Sequence, residues 1–259
     1  MIKWRESPKG QGILIAADEK LEWLLPWWWA RYSEKNAFPV ACIDFGMSHY
    51  GKTFWENKGL LLPLSFDSPL IMESDQTKFW QKEFGKALLD NRPSWFKKPF
   101  AFLSTPFERT LWLDLDCEVL QPLQSLFELE GEIYLAKETE NSLKRERSLQ
   151  IILEDEMLFN SGVVLYSQGN SVIEKWTRTI LEQGSHFPTD QHALSRLIHT
   201  EQIPISILHE NYNWRMSQGL NLQASIIHWV GSWGKEYIQR YGGITPFISE
   251  ILSFPHIYD

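Results

Sequence analysis

The feature that most restricts the fold is a succession of short, continuously apolar runs separated by stretches of helical period. Residues 12–17, GILIAA, follow a Gly/Pro/Lys-containing lead-in and read as a buried first strand, since a run without polar alternation suits a strand covered on both faces. Residues 20–34 carry the spacing of an amphipathic helix, with Pro26 tolerable only near its start or at a kink. FPVACIDFG (38–46) reads as a second strand closed by Gly46. Strand, helix and strand in that order form the βαβ unit of a parallel sheet, so an α/β fold is expected.

The pattern continues along the chain. Residues 75–92 have a helical period that Pro93 should stop, and KKPFAFLSTPF (97–107) is helical or irregular. TLWLDLDCEVL (110–120) alternates and is rich in β-formers, which predicts a central strand ending near its acidic residues. PLQSLFEL (122–129) reads as a short helix and GEIYLAKE (131–138) as a strand, while ETENSLKRERSLQ (138–150) reads as a solvated helix or a mobile loop, with a functional lid as the lesser alternative. MLFNSGVVLY (157–166) reads as a strand interrupted by a polar triplet containing Gly162. SVIEKWTRTILEQ (171–183) and TDQHALSRLI (189–198) read as helices, the second capped by Thr189 or Asp190. ASIIHWVGSW (224–233) reads as a late strand breaking into a Gly-containing loop.

At 259 residues the chain suits one large α/β domain, and its 43% hydrophobic content is enough for a packed core. A formal net charge of −8 argues against sequence-independent nucleic-acid binding, which needs a basic face. It would also repel an anionic small ligand unless a divalent cation and local positive groups offset the repulsion. Cys42 and Cys117 lie in apolar strand-like runs, so a disulfide framework is not expected. The N-terminal stretch has too short an apolar run for a secretory signal and no run suits a membrane span, so the expected address is the cytoplasm. Of the 13 tryptophans, Trp27, Trp28 and Trp29 are consecutive; such rings fill a core, stack on sugars or sit at a membrane interface, and the core is the expected place here.

Chemistry is concentrated at two places. Asp114-Leu115-Asp116 follows the apolar strand TLWL, and side chains two apart on a strand share a side, so both carboxylates could converge on one cation where open α/β sheets bind ligands. The alternative is a pair of solvated turn residues. IIHWVGSWGK supplies His228, Gly231 and Lys235: an imidazole nitrogen for the same cation, a glycine admitting close backbone approach to a phosphate, and an ammonium to neutralise it. A hydrogen-bonded core histidine is the other reading of His228.

The blocks ILIAADEK, FPVACIDFGMS, KKPFAFLSTPFERTLWLDLDCEVLQPL, FNSGVVLY, TDQHAL and IHWVGSWGK occur in the order of the signature blocks of the retaining GT-A glycosyltransferases. The chain most resembles family 8, which contains bacterial lipopolysaccharide hexosyltransferases and glycogenin. The resemblance spans about Gly12 to Lys235. It implies a GT-A fold with a mixed, mostly parallel central sheet flanked by helices, in one domain (1–259). The nucleotide-binding part would lie at about 12–120 and the donor-sugar and acceptor part at about 121–259.

By that resemblance Ala16, Ala17 and Asp18 hold the base and ribose. Asp114, Asp116 and His228 bind Mn²⁺, with Mg²⁺ as the other candidate, and the ion bridges the donor diphosphate. Leu115 belongs to the same nucleotide-binding triplet, Gly231 and Lys235 contact the diphosphate, and Lys98 is the basic residue before the acidic strand. Asn160, Asp190 and Gln191 contact the donor sugar. The family's late block places its Lys six residues after the His and follows it with Pro-Trp; here Lys235 is seven after His228, and Glu236-Tyr237 follow. The family's bacterial members often end in a basic, aromatic membrane-binding tail; TPFISEILSFPHIYD is apolar but not basic, which leaves peripheral membrane contact open.

The expected activity is metal-dependent, retaining transfer of a hexose from a UDP-sugar, UDP-glucose or UDP-galactose, to a glycan, lipid or protein acceptor. A haloacid-dehalogenase-like phosphatase also uses D-x-D after an apolar strand, but near the N-terminus and with Thr or Val where this chain has Glu118. A catalytically silent nucleotide-sugar-binding module of the same fold is the alternative from another class.

Overall fold

The computed structural model describes residues 9–64 and 75–247. The start of the N-terminal lead-in and most of the apolar C-terminal segment lie outside those residues. In chain order the elements are β1 (Gln11–Ala17), α1 (Leu24–Ser33), β2 (Val40–Asp44), α2 (His49–Trp55), β3 (Leu60–Pro63), α3 (Asp75–Phe84), α4 (Leu88–Leu103), β4 (Arg109–Leu113) and β5 (Cys117–Val119). Then come α5 (Gln124–Phe127), β6 (Ile133–Lys137), α6 (Glu140–Ser148), β7 (Phe159–Ser167), α7 (Ser171–Gln183), α8 (Asp190–Thr200), β8 (Ser206–Ile207), β9 (Ile226–His228) and α9 (Gly231–Tyr241).

Seven strands form one sheet in the order β3-β2-β1-β4-β7-β6-β8, and β5 pairs with β9 in a small second sheet. β7 runs antiparallel to both neighbours, and the other pairs of the large sheet are parallel. The sheet is therefore mixed and mostly parallel. Strand alternation divides the core in two: Ile13, Ile15, Leu111, Leu113, Val163 and Leu165 pack on one face with α1 and α9, and Leu14, Trp112, Val164 and Tyr166 pack on the other with α4, α7 and α8. Helices cover both faces, which is why the strands read as unbroken apolar runs.

Trp28 is fully buried and stacks on Tyr32, Trp29 meets Trp55 edge-on, and the Trp27 indole donates to the Gly242 carbonyl. The tryptophan cluster thus builds the α1 side of the core. Cys42 and Cys117 are buried free thiols. Among the described residues no helix is long and apolar enough to cross a membrane.

Several elements depart from the sequence reading. The helix expected over 75–92 breaks at Gly85, whose φ of +97° suits glycine, and α4 then runs through Pro93 and Pro99. An interior proline costs about 3 kcal/mol, so packing must outweigh propensity here. α4 buries Phe96 and Phe102, and the fully buried Arg92 donates to the carbonyls of Gly184, Phe187 and Pro188.

The strand expected over 110–120 is two strands in different sheets, joined by a turn in which Cys117 N–H donates to the Asp114 carbonyl. MLFNSGVVLY is not interrupted: β7 continues through Asn160-Ser161-Gly162, and the irregularity falls in its pairing with β6 at Leu135/Ala136. The 138–150 stretch is helix α6 with Leu143 and Glu146 buried, the latter 2.6 Å from His192 Nε2. Past β9 the chain enters helix α9 rather than a loop. In α1, Pro26 falls in the first turn, where its missing N–H has no helical partner to lose.

Candidate functional site

The carboxyl ends of β1, β4 and β6, the opposite-running start of β7, the N-terminus of α8 and the β9–α9 junction gather at one edge of the sheet. An open cleft there is lined by Ala16, Asp18, Phe45, Trp95, Lys98, Asp114, Leu115, Asp116 and Lys235. Ala17 points the other way, as strand alternation requires, and is buried in the core. Its carbonyl accepts from Phe45 N–H. Asp18 caps the turn after β1: its carboxylate accepts from the backbone of Lys20 and Leu21 and from Ser94 Oγ.

The D-x-D aspartates face the same imidazole across the turn that follows β4. Asp114 accepts from the Trp112 indole at 2.7 Å and lies 3.0 Å from Lys98 Nζ. Asp116 is bonded to Lys235 Nζ at 2.6 Å and lies 3.2 Å from His228 Nε2, which is also 3.9 Å from Asp114. The imidazole therefore faces both carboxylates. Its seat is built by Gly162: a Cβ there would stand 2.1 Å from His228 Cε1, so β7 needs glycine beneath the ring. Gly231 is exposed, opens α9 with φ +81° and lies outside the cleft lining.

Burial alone would raise the Asp116 carboxyl, but Lys235 and His228 outweigh it and hold the group well below the usual carboxylate range. Burial would lower Lys98 and Lys235, yet Asp114 and Asp190 around Lys98, and Asp116 beside Lys235, push both ammoniums upward. Asp190 is raised chiefly by burial, against the pull of Lys98 and a 2.7 Å bond from Ser161 Oγ. Three carboxylates thus surround two ammoniums, which leaves the pocket with a net negative charge when His228 is neutral.

Asp116, Cys117 and His228 each offer a ligand atom within 4.8 Å of the others. The Cys117 thiol is pushed well up, first by burial and then by the adjacent aspartates, and it donates to the Gly162 carbonyl at 3.7 Å. It is a neutral thiol, so hard-cation ligation falls to Asp116 and His228, with Asp114 alongside. The donor set fits a divalent ion, which would also reverse the sign of the pocket's charge.

Asn160, Asp190 and Gln191 lie outside the cleft lining; Asn160 Nδ2 donates to Glu138 Oε1 and Gln191 Oε1 at 3.0 and 3.1 Å, and Gln191 Nε2 reaches Glu138 at 3.3 Å. Glu138 also pairs closely with Arg215, and Asn213 joins Asn160 to His228. The sequence reading missed Glu138, Ser161, Asn213 and Arg215. Glu138 had a weak signal, an acid one residue past the apolar run IYLA; Asn213 and Arg215 sit in a loop with none.

No protein-family model and no curated protein sequence matches the chain. Solved structures do. The galactosyltransferase LgtC, in complex with donor and acceptor sugar analogs, superposes with a TM-score of 0.57 at 14% identity over 95% of this chain and 98% of that one. The glycosyltransferase GlyE of Streptococcus pneumoniae gives 0.54 at 15% identity over 97% of this chain and 66% of its own. Mouse xyloside xylosyltransferase 1 gives 0.51 at 12% over 87% and 98%. The α/β architecture expected from the ordered blocks is therefore present, and the chain has the fold of the GT-A glycosyltransferases.

Proposed function

We propose that the chain is a metal-dependent, retaining glycosyltransferase that moves a hexose from a nucleotide diphosphate sugar, UDP-glucose or UDP-galactose, to a glycan, lipid or protein acceptor. The observation that carries this reading is His228 Nε2 facing Asp116 at 3.2 Å and Asp114 at 3.9 Å on the ligand-binding edge of a glycosyltransferase fold. Asp114, Asp116 and His228 would hold Mn²⁺ or Mg²⁺, which when bound supplies Lewis-acid stabilisation of negative charge on the diphosphate. Lys98 and Lys235 flank the same aspartates and would offset the remaining phosphate charge. Phe45 and Trp95, with Ala16 and Asp18, line the end of the cleft suited to base and ribose.

Asn160, Asp190 and Gln191 would face the transferred sugar. None is poised as a nucleophile: the Gln191 amide is a weak one and is tied to Asn160 and Glu138, Asp190 is buried against Ser161, and both Glu138 oxygens are engaged. This favours attack by the acceptor hydroxyl on the face from which the diphosphate departs. The sugar–phosphate C–O bond breaks, a new C–O bond forms, and the departing phosphate oxygen takes the hydroxyl proton. Retention is the stereochemical result.

The test is incubation of the full chain with a UDP-sugar panel, with Mn²⁺ or with EDTA, following release of UDP. Metal-dependent slow hydrolysis of one or two UDP-hexoses is expected, with the released sugar caught by NMR in its original anomeric configuration. Absence of turnover alongside metal-dependent UDP binding would leave a silent binding module. Inverted product would exclude the same-face reaction.

A further inference from the structure

The hydrogen bonds behind His228 determine which of its ring nitrogens carries the proton. Gly162 N–H, which can only donate, meets one terminal atom of Asn160 at 2.9 Å, so that atom is Oδ1. Asn213 approaches the same Oδ1 at 3.0 Å and must present Nδ2 to it. The other terminal atom of Asn213 is then its Oδ1, which lies 2.9 Å from His228 Nδ1. A carbonyl oxygen only accepts, so Nδ1 bears the hydrogen. The far end of the chain agrees: Asn160 Nδ2 points at a carboxylate oxygen of Glu138, which also only accepts.

In a neutral ring of that tautomer Nε2 is a bare lone pair, and it faces Asp116 and Asp114. Left to itself the ring would prefer the opposite tautomer, because an Nε2–H beside Asp116 makes a charge-assisted hydrogen bond. Asn160, Asn213 and His228 are all buried, at 4%, 6% and 4% exposure, so water cannot easily replace the relay. With Nδ1–H committed to Asn213, Nε2 is the ring atom turned toward the two carboxylates.

We infer that Asn213 is a positioning residue which, anchored through Asn160 to the Gly162 amide, locks His228 as the Nδ1–H tautomer and reserves Nε2 for a divalent ion. The metal half of this inference rests on the reading under Proposed function; the tautomer does not. A hydrogen-bond partner behind a ligating imidazole tunes affinity by fixing ring orientation and the identity of the ligating nitrogen.

The experiment is a long-range ¹H–¹⁵N correlation spectrum of the metal-free full chain at a pH where the ring is neutral, followed by Mn²⁺ titration read by EPR. Wild type should show Nδ1 protonated and Nε2 bare. Asn213→Ala should move the proton to Nε2 and weaken Mn²⁺ binding by about 10- to 100-fold. Asn213→Asp keeps an acceptor for Nδ1–H but loses the donor to Asn160 Oδ1, so it should retain the wild-type tautomer while losing part of the affinity.

A wild-type ring protonated at Nε2 in place of Nδ1 overturns the inference. So does an unchanged tautomer or unchanged Mn²⁺ affinity in Asn213→Ala. The wild-type spectrum decides the tautomer even if the alanine variant does not fold. Loss of UDP-sugar turnover as an activity, with both results intact, would remove the transferase reading and leave the positioning role standing.

Discussion

Asp114 and Asp116 stand two residues apart, yet they belong to different parts of the molecule. Asp114 is the more exposed, at 26% against 11%, and its partners come from its own strand and from α4, with Trp112 two residues away and Lys98 sixteen. Asp116 is buried, and its partner Lys235 lies 119 residues on, with His228 only slightly nearer. One carboxylate has its bonded side-chain partners in nearby sequence and meets the late segment only through His228 at 3.9 Å, while the other is bonded only once the last strand and helix have docked. The second aspartate therefore couples the site to completion of the fold more strongly than the first.

Substitution should expose that asymmetry. Asp116→Ala removes the buried counter-charge of Lys235 and should cost about 3 kcal/mol, the low end for breaking a buried pair. Asp114→Ala, in a more solvated place, should cost about 1 kcal/mol. Urea unfolding of the two variants tests the difference, and equal losses would erase the distinction.

Gly162→Ala probes the shared imidazole instead. A methyl 2.1 Å from His228 Cε1 must displace the ring, and Mn²⁺-dependent turnover should fall by about 100-fold, as loss of an ordered ligand does. A variant that retains wild-type turnover would show that the ring's seat is unimportant.

The acidic strand end and the late His228–Lys235 block were legible, and the polar network behind them was not. β1 and β4 announce themselves as apolar runs, and an acid after such a run marks Asp114, Asp116 and, unused, Glu138. Yet the strand alternation invoked for the D-x-D was the wrong geometry, since the two side chains face the imidazole across the turn that follows β4. Asn213 and Arg215 carried no signal because their partners, Asn160 and Glu138, lie 53 and 77 residues away. Pro93 misled for the same reason: local propensity ends a helix there, and the buried contacts of Arg92 and Phe96 keep it going.

Acid titration sharpens the contrast further. The folded Asp116 carboxyl is held below its unfolded value of about 3.9, so its stabilising contribution is whole above that pH and is lost as pH falls through the folded value. Thermal melts between about pH 2 and 5 should show a slope that Asp116→Asn flattens. If the variant keeps the slope, the pairing with Lys235 and His228 is not what lowers this group.

The smallest effect is expected at Cys117. Its neutral thiol sits beside the proposed ligands without serving as one, so Cys117→Ala should change Mn²⁺ affinity by less than about twofold. A larger loss would make the thiol a ligand and displace Asp114 from that role.

The most direct test is calorimetry of UDP binding to the full chain with and without Mn²⁺, in wild type and in His228→Ala. A heat of binding that requires Mn²⁺ in wild type and disappears in the variant is the expected result. UDP binding of equal strength in EDTA, or Mn²⁺-dependent binding undiminished without His228, would contradict a cation held jointly by the imidazole and the two aspartates.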